Sequence, residues 1–525
     1  MANRILVPLL YATLVVGVVL ALSSSFLISV EYDEAWIATS HYDRMSADSE
    51  HHIDRVLTTG GLHALIVGFL SDARSSAVEI ARVVSLVSMG LLLLLVERLS
   101  RKWFPDFIAR SIILVFVLGT PGSLILAGMG YGVVLAATLV VAGWVAWLEF
   151  KKVGMFELSA VGLVLGAALA TRWTFLPLLP FLVLAGMALS NSDKGKWKKG
   201  LILTAITSLV VVFFVVLLNQ ISSLKIGTIA QDPGGTSDAI DATGLLSSLP
   251  TPARITGFSS RFVSLLNLPI VLIALGLAVL FHRRFPKQML TLIYGLGAAA
   301  TLIAFAWVFR SPFLHLRYIW PSLLFINLAC GFIFAWVYTH HKANVDQLAR
   351  AICLICIALP IGLATEAYTV GIRVLASGSG YEANNAGLSR QEFHYDAFRI
   401  KREQLAVVEF LKSEIGSQEL VFALGLPAEW SEMQLSTLSD IEVKQLPIAT
   451  VTSNNPEVIV THELGRISQE GTTWLQEISS HMVPIYGYRF HWVDQSRYVD
   501  PEPNYLINSE VYVYTLRRAL SLSGF

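Results

Sequence analysis

Charge is what this sequence has least of. Asp, Glu, Lys and Arg together make up 14% of its 525 residues, against roughly a quarter in soluble globular domains. The 38 basic residues balance the 38 acidic ones, and with a pI near 7.2 nothing in the overall balance directs the chain to nucleic acid or another polyanion. Electrostatic arguments about it therefore have to be local. Cysteine is nearly absent too: Cys330, Cys353 and Cys356 all lie in apolar runs, which argues against a disulfide framework. A packed membrane core accounts for Cys353 and Cys356 on one helix face better than metal or redox chemistry does. There is no Asn-x-Ser/Thr glycosylation acceptor, and no internal repeat or low-complexity tract stands out.

What the chain has in place of charge is apolar length. Hydrophobic residues make up 54% of it and the mean hydropathy is +0.61, the composition of a polytopic membrane protein. Apolar runs predict spans near 5–29, 76–97, 108–127, 130–148, 156–170, 173–190, 200–219, 263–281, 289–309, 313–338 and 350–370, about eleven helices. The first run follows Arg4 and ends in "ALSSS", yet it is too long for a signal-peptide core and suffices to span a bilayer. Lysine and arginine concentrate in "ERLSRKW" (97–103), "EFKKVG" (149–154), "DKGKWKK" (193–199), "HRRFPK" (282–287) and "THHKANVDQLAR" (339–350). These segments alternate onto one side, cytoplasmic by the positive-inside rule, with the N-terminus on the same side. A first loop (31–75), a second large loop (220–262) and everything past about 371 fall on the other side. The break at "TRWT" (171–174) is kept because merging its neighbours would move two basic loops outside.

From 371 to 525 charges become frequent and apolar runs shorten. "ELVFAL" (419–424), "EVIVTH" (457–462), "VPIYGYRFHWV" (483–493) and "EVYVYTL" (510–516) read as strands, and "FRIKREQLAVVEFLKSEI" (398–415) as a helix with Ile400, Leu405, Val408 and Leu411 on one side. The expected fold class is an α-helical polytopic membrane domain over 1–370 and a small extracytoplasmic α/β domain over 371–525. The smaller domain lacks a Gly-rich phosphate loop, a nucleophile elbow and Cys/His metal spacing, so no chemistry is assigned to it.

Ionisable groups near membrane depth are costly and each needs a reason. Asp33 and Glu34, in "ISVEYDEAWIATS" (28–40), stand where the first apolar run stops. Arg172 interrupts apolar sequence in "ATRWTF", and Arg310 and Arg317 lie in "VFRSPFLHLRYIWP" (308–321). The predicted topology brings all of them to one membrane face. Arginine's planar fork suits phosphate oxygens, so the pattern fits a phosphate headgroup held beside a carboxylate base. Snorkelling or structurally paired arginines are the competing explanation.

Taken in order, "YDEAW", a long outer loop, "SAVEIARVVSLVSMGLLLLLVERLSRKWF" (76–104), "ATRWTFLPLLPFLVLAG" (170–186) and "HLRYIWPSLLFINLACG" (315–331) resemble the GT-C superfamily of membrane glycosyltransferases. The similarity is to the branch of protein O-mannosyltransferases and lipid A aminoarabinose transferase, and it covers residues 1 to 340. It implies Asp33 as the catalytic carboxylate, acting as general base, with Glu34 its companion, Glu79 and Arg82 as a second-span pair, Arg172 as the basic position and Arg317 with Tyr318 as the late motif; together with Arg310 from the charge pattern, Arg172, Arg317 and Tyr318 are the expected contacts of a lipid phosphate. It implies a polyprenyl-phosphate-linked sugar as donor, a glycan, lipid or protein as acceptor, membrane lipids as surroundings and a bacterial inner membrane as location. Where the branch carries a His-Lys-Pro-Pro-Leu-like stretch this chain has "TTGGL" (58–62), without the lysine. A divalent metal ion is the cofactor known in some relatives, for which His51, His52 and His63 are the candidate ligands. A lipid-linked sugar transporter or flippase and a non-catalytic scaffold of a glycan assembly system are the alternatives.

Overall fold

The computed structural model describes, besides a few isolated positions, residues 32–45, 60–150, 154–172, 196–221, 268–310 and 316–340, together with five strands between 421 and 515. The expected spans at 5–29, 173–190 and 350–370, the helix at 398–415, and His51 and His52 lie outside the described residues.

The membrane part is built from α1 (Tyr32–Met45), α2 (Gly61–Leu70), α3 (Arg74–Arg101), α4 (Phe107–Leu118), α5 (Ser123–Gly128), α6 (Val133–Glu149), α7 (Met155–Thr171), α8 (Lys196–Ile221), α9 (Leu268–Phe281), α10 (Lys287–Arg310) and α11 (Leu316–His340). It is a helical, multi-pass membrane architecture. Helix starts follow local chemistry. The Asp106 carboxylate accepts from the Ile108 N–H at 3.2 Å and caps α4, and the Ser76 hydroxyl accepts from the N–H groups of Asp72 and Ala73 at the start of α3.

The run expected as one span over 108–127 is two helices. Pro121 cannot continue the ladder, and Gly122 takes a left-handed φ of 84°. The carbonyls left open are met by hydroxyls, with Thr120 donating to Phe116 O and Ser123 to Val117 O. The turn in turn holds α11: the Trp320 indole N–H donates to Ser123 Oγ at 3.1 Å, and the Asn327 amide to Thr120 Oγ1 at 3.3 Å. Aromatic and aliphatic side chains of α4, α6 and α11, among them Phe116, Trp144, Phe325 and Phe334, fill the core between these helices.

Residues 31–75, expected as a loop, contain α1 and α2. At ten residues α2 is about 15 Å long, too short to span a bilayer; its His63, Ala64 and Val67 are buried against protein, while Phe69 and Leu70 at its C-terminal end are exposed. It docks on the C-terminal end of α7, where the Gly60 N–H donates to Thr171 O at 3.0 Å. Gly61 has φ +52°, and a Cβ there would stand 2.7 Å from the backbone of Ala170 and Thr171. We expect Gly61→Ala to combine a left-handed penalty of about 1–2 kcal/mol with a backbone clash, and to lower the thermal midpoint in detergent; an unchanged midpoint would mean that α2 is not held this way.

Toward the C-terminus β1 (Val421–Leu424), β2 (Val443–Gln445), β3 (Val458–Glu463), β4 (Val483–Asp494) and β5 (Tyr505–Thr515) form one sheet in the order β2-β1-β3-β5-β4. β1 is parallel to β2 and β3, whereas β5 runs antiparallel to both β3 and β4. The register of the long β4–β5 pair runs from Val483↔Thr515 to Asp494↔Tyr505, with a bulge between Pro484 and Tyr486.

Candidate functional site

Glu34 sits in the first turn of α1 and is fully buried. Arg82, eight residues into α3 and also buried, donates to it through both arms of its fork, Nε to Oε1 and Nη2 to Oε2, each at 2.8 Å. The Gly130 N–H, in the turn between α5 and α6, donates to the same Oε1 at 2.7 Å. Gly130 is required there by proximity: a Cβ would lie 2.5 Å from that of Ala81 and 3.4 Å from Glu34 Oε1. One carboxylate thus joins three elements. Bidentate pairing supplies both charge and direction, and with both oxygens engaged Glu34 is an anchor for α1. Glu79, expected to act with Arg82, stands exposed on α3, so the Arg82 fork belongs to Glu34 and the two motif residues part company.

Two turns further along the same face of α1 lies His41. Its ring meets that of His63 in the first turn of α2, edge to face, with centroids 5.3 Å apart, and both are fully buried. Arg172, the residue that ends α7, is also fully buried. Its guanidinium stands 5.4 Å from the ring centre of half-buried Tyr318 in the first turn of α11, which suits a cation–π contact. Burial holds His63 neutral, its pKa pushed down from 6.5 to about 3, and the positive charge of Arg172 acts in the same direction. Pro321, inside α11, has no N–H to donate to the Arg317 carbonyl one turn back, so the ladder lacks one bond beside this cluster.

The structure therefore gathers Glu34, Arg82, His63, Arg172 and Tyr318 at one end of the bundle. Asp33 occupies the second position of α1, Arg310 the last of α10 and Arg317 the second of α11, while the surroundings of these three side chains fall outside the described residues. The opposite end carries a different population, with Arg98 bound to Glu149 at 2.5 Å and Glu97 shared by Arg101 and Arg110. No group of three or more His, Cys, Asp or Glu suited to hold a metal ion occurs among the described residues.

Neither a family model nor a curated protein matches the sequence. Solved structures do match in shape. ArnT from Cupriavidus metallidurans bound to undecaprenyl phosphate superimposes with a TM-score of 0.56 at 12% identity, covering 95% of this chain and 97% of that one. The chain has the ArnT fold. The apo state of ArnT gives a TM-score of 0.53, again at 12% identity, with 97% and 98% covered.

His41 and Gly130 were not anticipated. His41 is legible once 32–45 is taken as a helix, because it lies seven residues after Glu34 and hence on the same face; Gly130 carries no local mark. The buried imidazole sets a pH dependence. Between about pH 3 and 6.5 the unfolded chain binds a proton that folded His63 refuses, so stability is full above 6.5 and falls as pH drops through that window. The slope is about 1.4 kcal/mol per pH unit. Unfolding midpoints in detergent should fall between pH 7 and 5 for the wild type and less steeply for His63→Gln; parallel curves would contradict a buried neutral His63.

Proposed function

We propose that this protein is a membrane glycosyltransferase that moves a sugar from a polyprenyl-phosphate carrier to an acceptor hydroxyl at the outer face of a bacterial inner membrane. The observation that carries the reading is a buried guanidinium, Arg172 on Tyr318, at the bundle end where α1, with its Asp-Glu sequence, begins. It occurs in a chain sharing the fold of a protein crystallised with undecaprenyl phosphate.

In this reading the lipid phosphate is the leaving group. Arg172, Arg310 and Arg317, with Tyr318, compensate the charge that develops on it. Asp33 takes the proton of the acceptor hydroxyl as that oxygen attacks the anomeric carbon. Glu34 and Arg82 position Asp33: consecutive helical residues do not share a face, so fixing Glu34 to α3 and to Gly130 sets the rotation of α1 and leaves the base role to Asp33. The membrane part spans the bilayer about eleven times with the N-terminus cytoplasmic, and residues 371–525 form a periplasmic domain that helps admit or select the acceptor. A lipid-linked donor delivers its reactive carbon at the membrane edge while the acceptor arrives from water, which explains why the acids stand where the first apolar run ends.

A single displacement inverts the anomeric centre. Purified protein in nanodiscs, given polyprenyl-phosphate sugars and envelope extract, should yield a glycoside of configuration opposite to the donor by NMR. Retained configuration would reject Asp33 as a simple base, and no glycoside with any donor and extract would reject the transferase.

A further inference from the structure

His63 is the group this mechanism leaves unused. It is fully buried, and neither of its ring nitrogens has a hydrogen-bond partner among the described residues. The same holds for the hydroxyl of Thr171, also fully buried and next in sequence to Arg172. A neutral imidazole always carries one N–H donor and one acceptor nitrogen, and buried polar groups are as a rule satisfied. Two neutral polar groups and one guanidinium thus share the place where α2 docks on the end of α7, tied by the Gly60 to Thr171 hydrogen bond.

We propose that His63, with Thr171, is a phosphate-binding residue: the imidazole N–H and the hydroxyl donate to oxygens of the lipid phosphate whose charge Arg172 balances. Half-buried Tyr318, 5.4 Å from the Arg172 guanidinium, is the more exposed partner of that position, and His63 the fully buried one. Neutral donors suit the task, because they fix an oxyanion's orientation without adding to its electrostatic retention, so the phosphate leaves once its sugar is gone. His41, edge-on to His63, holds the ring plane. The assignment rests on the reading of Arg172 as a lipid-phosphate contact.

The test measures binding of undecaprenyl phosphate to the full chain in nanodiscs, for wild type, His63→Leu, His63→Gln, Thr171→Val and Arg172→Met, with inorganic phosphate as competitor. Loss of one hydrogen bond to a charged oxygen predicts about ten- to hundredfold weaker binding for His63→Leu and recovery to within a few-fold for His63→Gln, which restores an N–H donor. Thr171→Val should weaken binding even if His63→Leu fails to fold. Weakened binding by Arg172→Met with unchanged binding by His63→Leu and Thr171→Val overturns the role of His63 alone. Unchanged binding by all three overturns the lipid-phosphate reading itself. Displacement of the lipid by millimolar inorganic phosphate, with the same dependence on His63, overturns the lipid assignment in favour of free phosphate.

Discussion

Asp33→Asn protein is expected to fold and to bind the lipid-linked donor, yet to transfer sugar roughly a hundred- to ten-thousand-fold more slowly than wild type, the range a positioned general base contributes. The amide matches the carboxylate in shape but cannot take the acceptor's proton. Glu34 offers no substitute one residue away, since its carboxylate is committed to Arg82 and to the Gly130 N–H. Single-turnover transfer measured beside donor binding separates the two effects. Loss of binding together with transfer would make Asp33 a structural or donor-binding residue, and undiminished transfer would move the base elsewhere.

Arg82→Leu is expected to have the largest effect on stability. Removing one member of a buried ion pair leaves the other charge without compensation, at a cost of about 3–5 kcal/mol. Here the stranded group is Glu34, fully enclosed between α1, α3 and the α5–α6 turn. Glu34→Gln keeps the shape and one set of hydrogen bonds and should cost less. The double variant Glu34→Leu with Arg82→Leu should be markedly less destabilised than the sum of its singles, because no charge is then stranded. A double-mutant cycle on unfolding in detergent checks this. Additive losses would mean that the two side chains are not coupled.

The fold was legible where apolar length decides it. The spans expected at 76–97, 130–148, 156–170, 200–219, 289–309 and 313–338 correspond to α3, α6, α7, α8, α10 and α11. It was less legible where turns and tertiary contacts decide. The expected span at 108–127 hides the Pro121–Gly122 turn inside an apolar run, and α2 is too short to register as a span. Strands at 421–424, 458–463 and 483–494 fall where alternation is clear, whereas β2 is three residues long and partly polar, and the first half of β5 exists through its pairing with β4. In the site, charge set among apolar residues marked Glu34, Arg82 and Arg172 without saying which would meet. Glu34 and Arg82 are 48 residues apart, and Glu79, three residues before Arg82 in the motif, is exposed. A contact of that kind is made by helix packing, and no local pattern encodes its partner.

The central claim, that sugar leaves one lipid phosphate for an acceptor, is tested most directly with a donor labelled in both sugar and polyprenyl chain, incubated with wild-type protein in nanodiscs and acceptor extract. The labels should separate, sugar passing to the acceptor while polyprenyl phosphate accumulates in equal amount. If instead both labels stay together, whether the donor remains in place or crosses the bilayer intact, the protein is a carrier or a scaffold and the transferase account is contradicted.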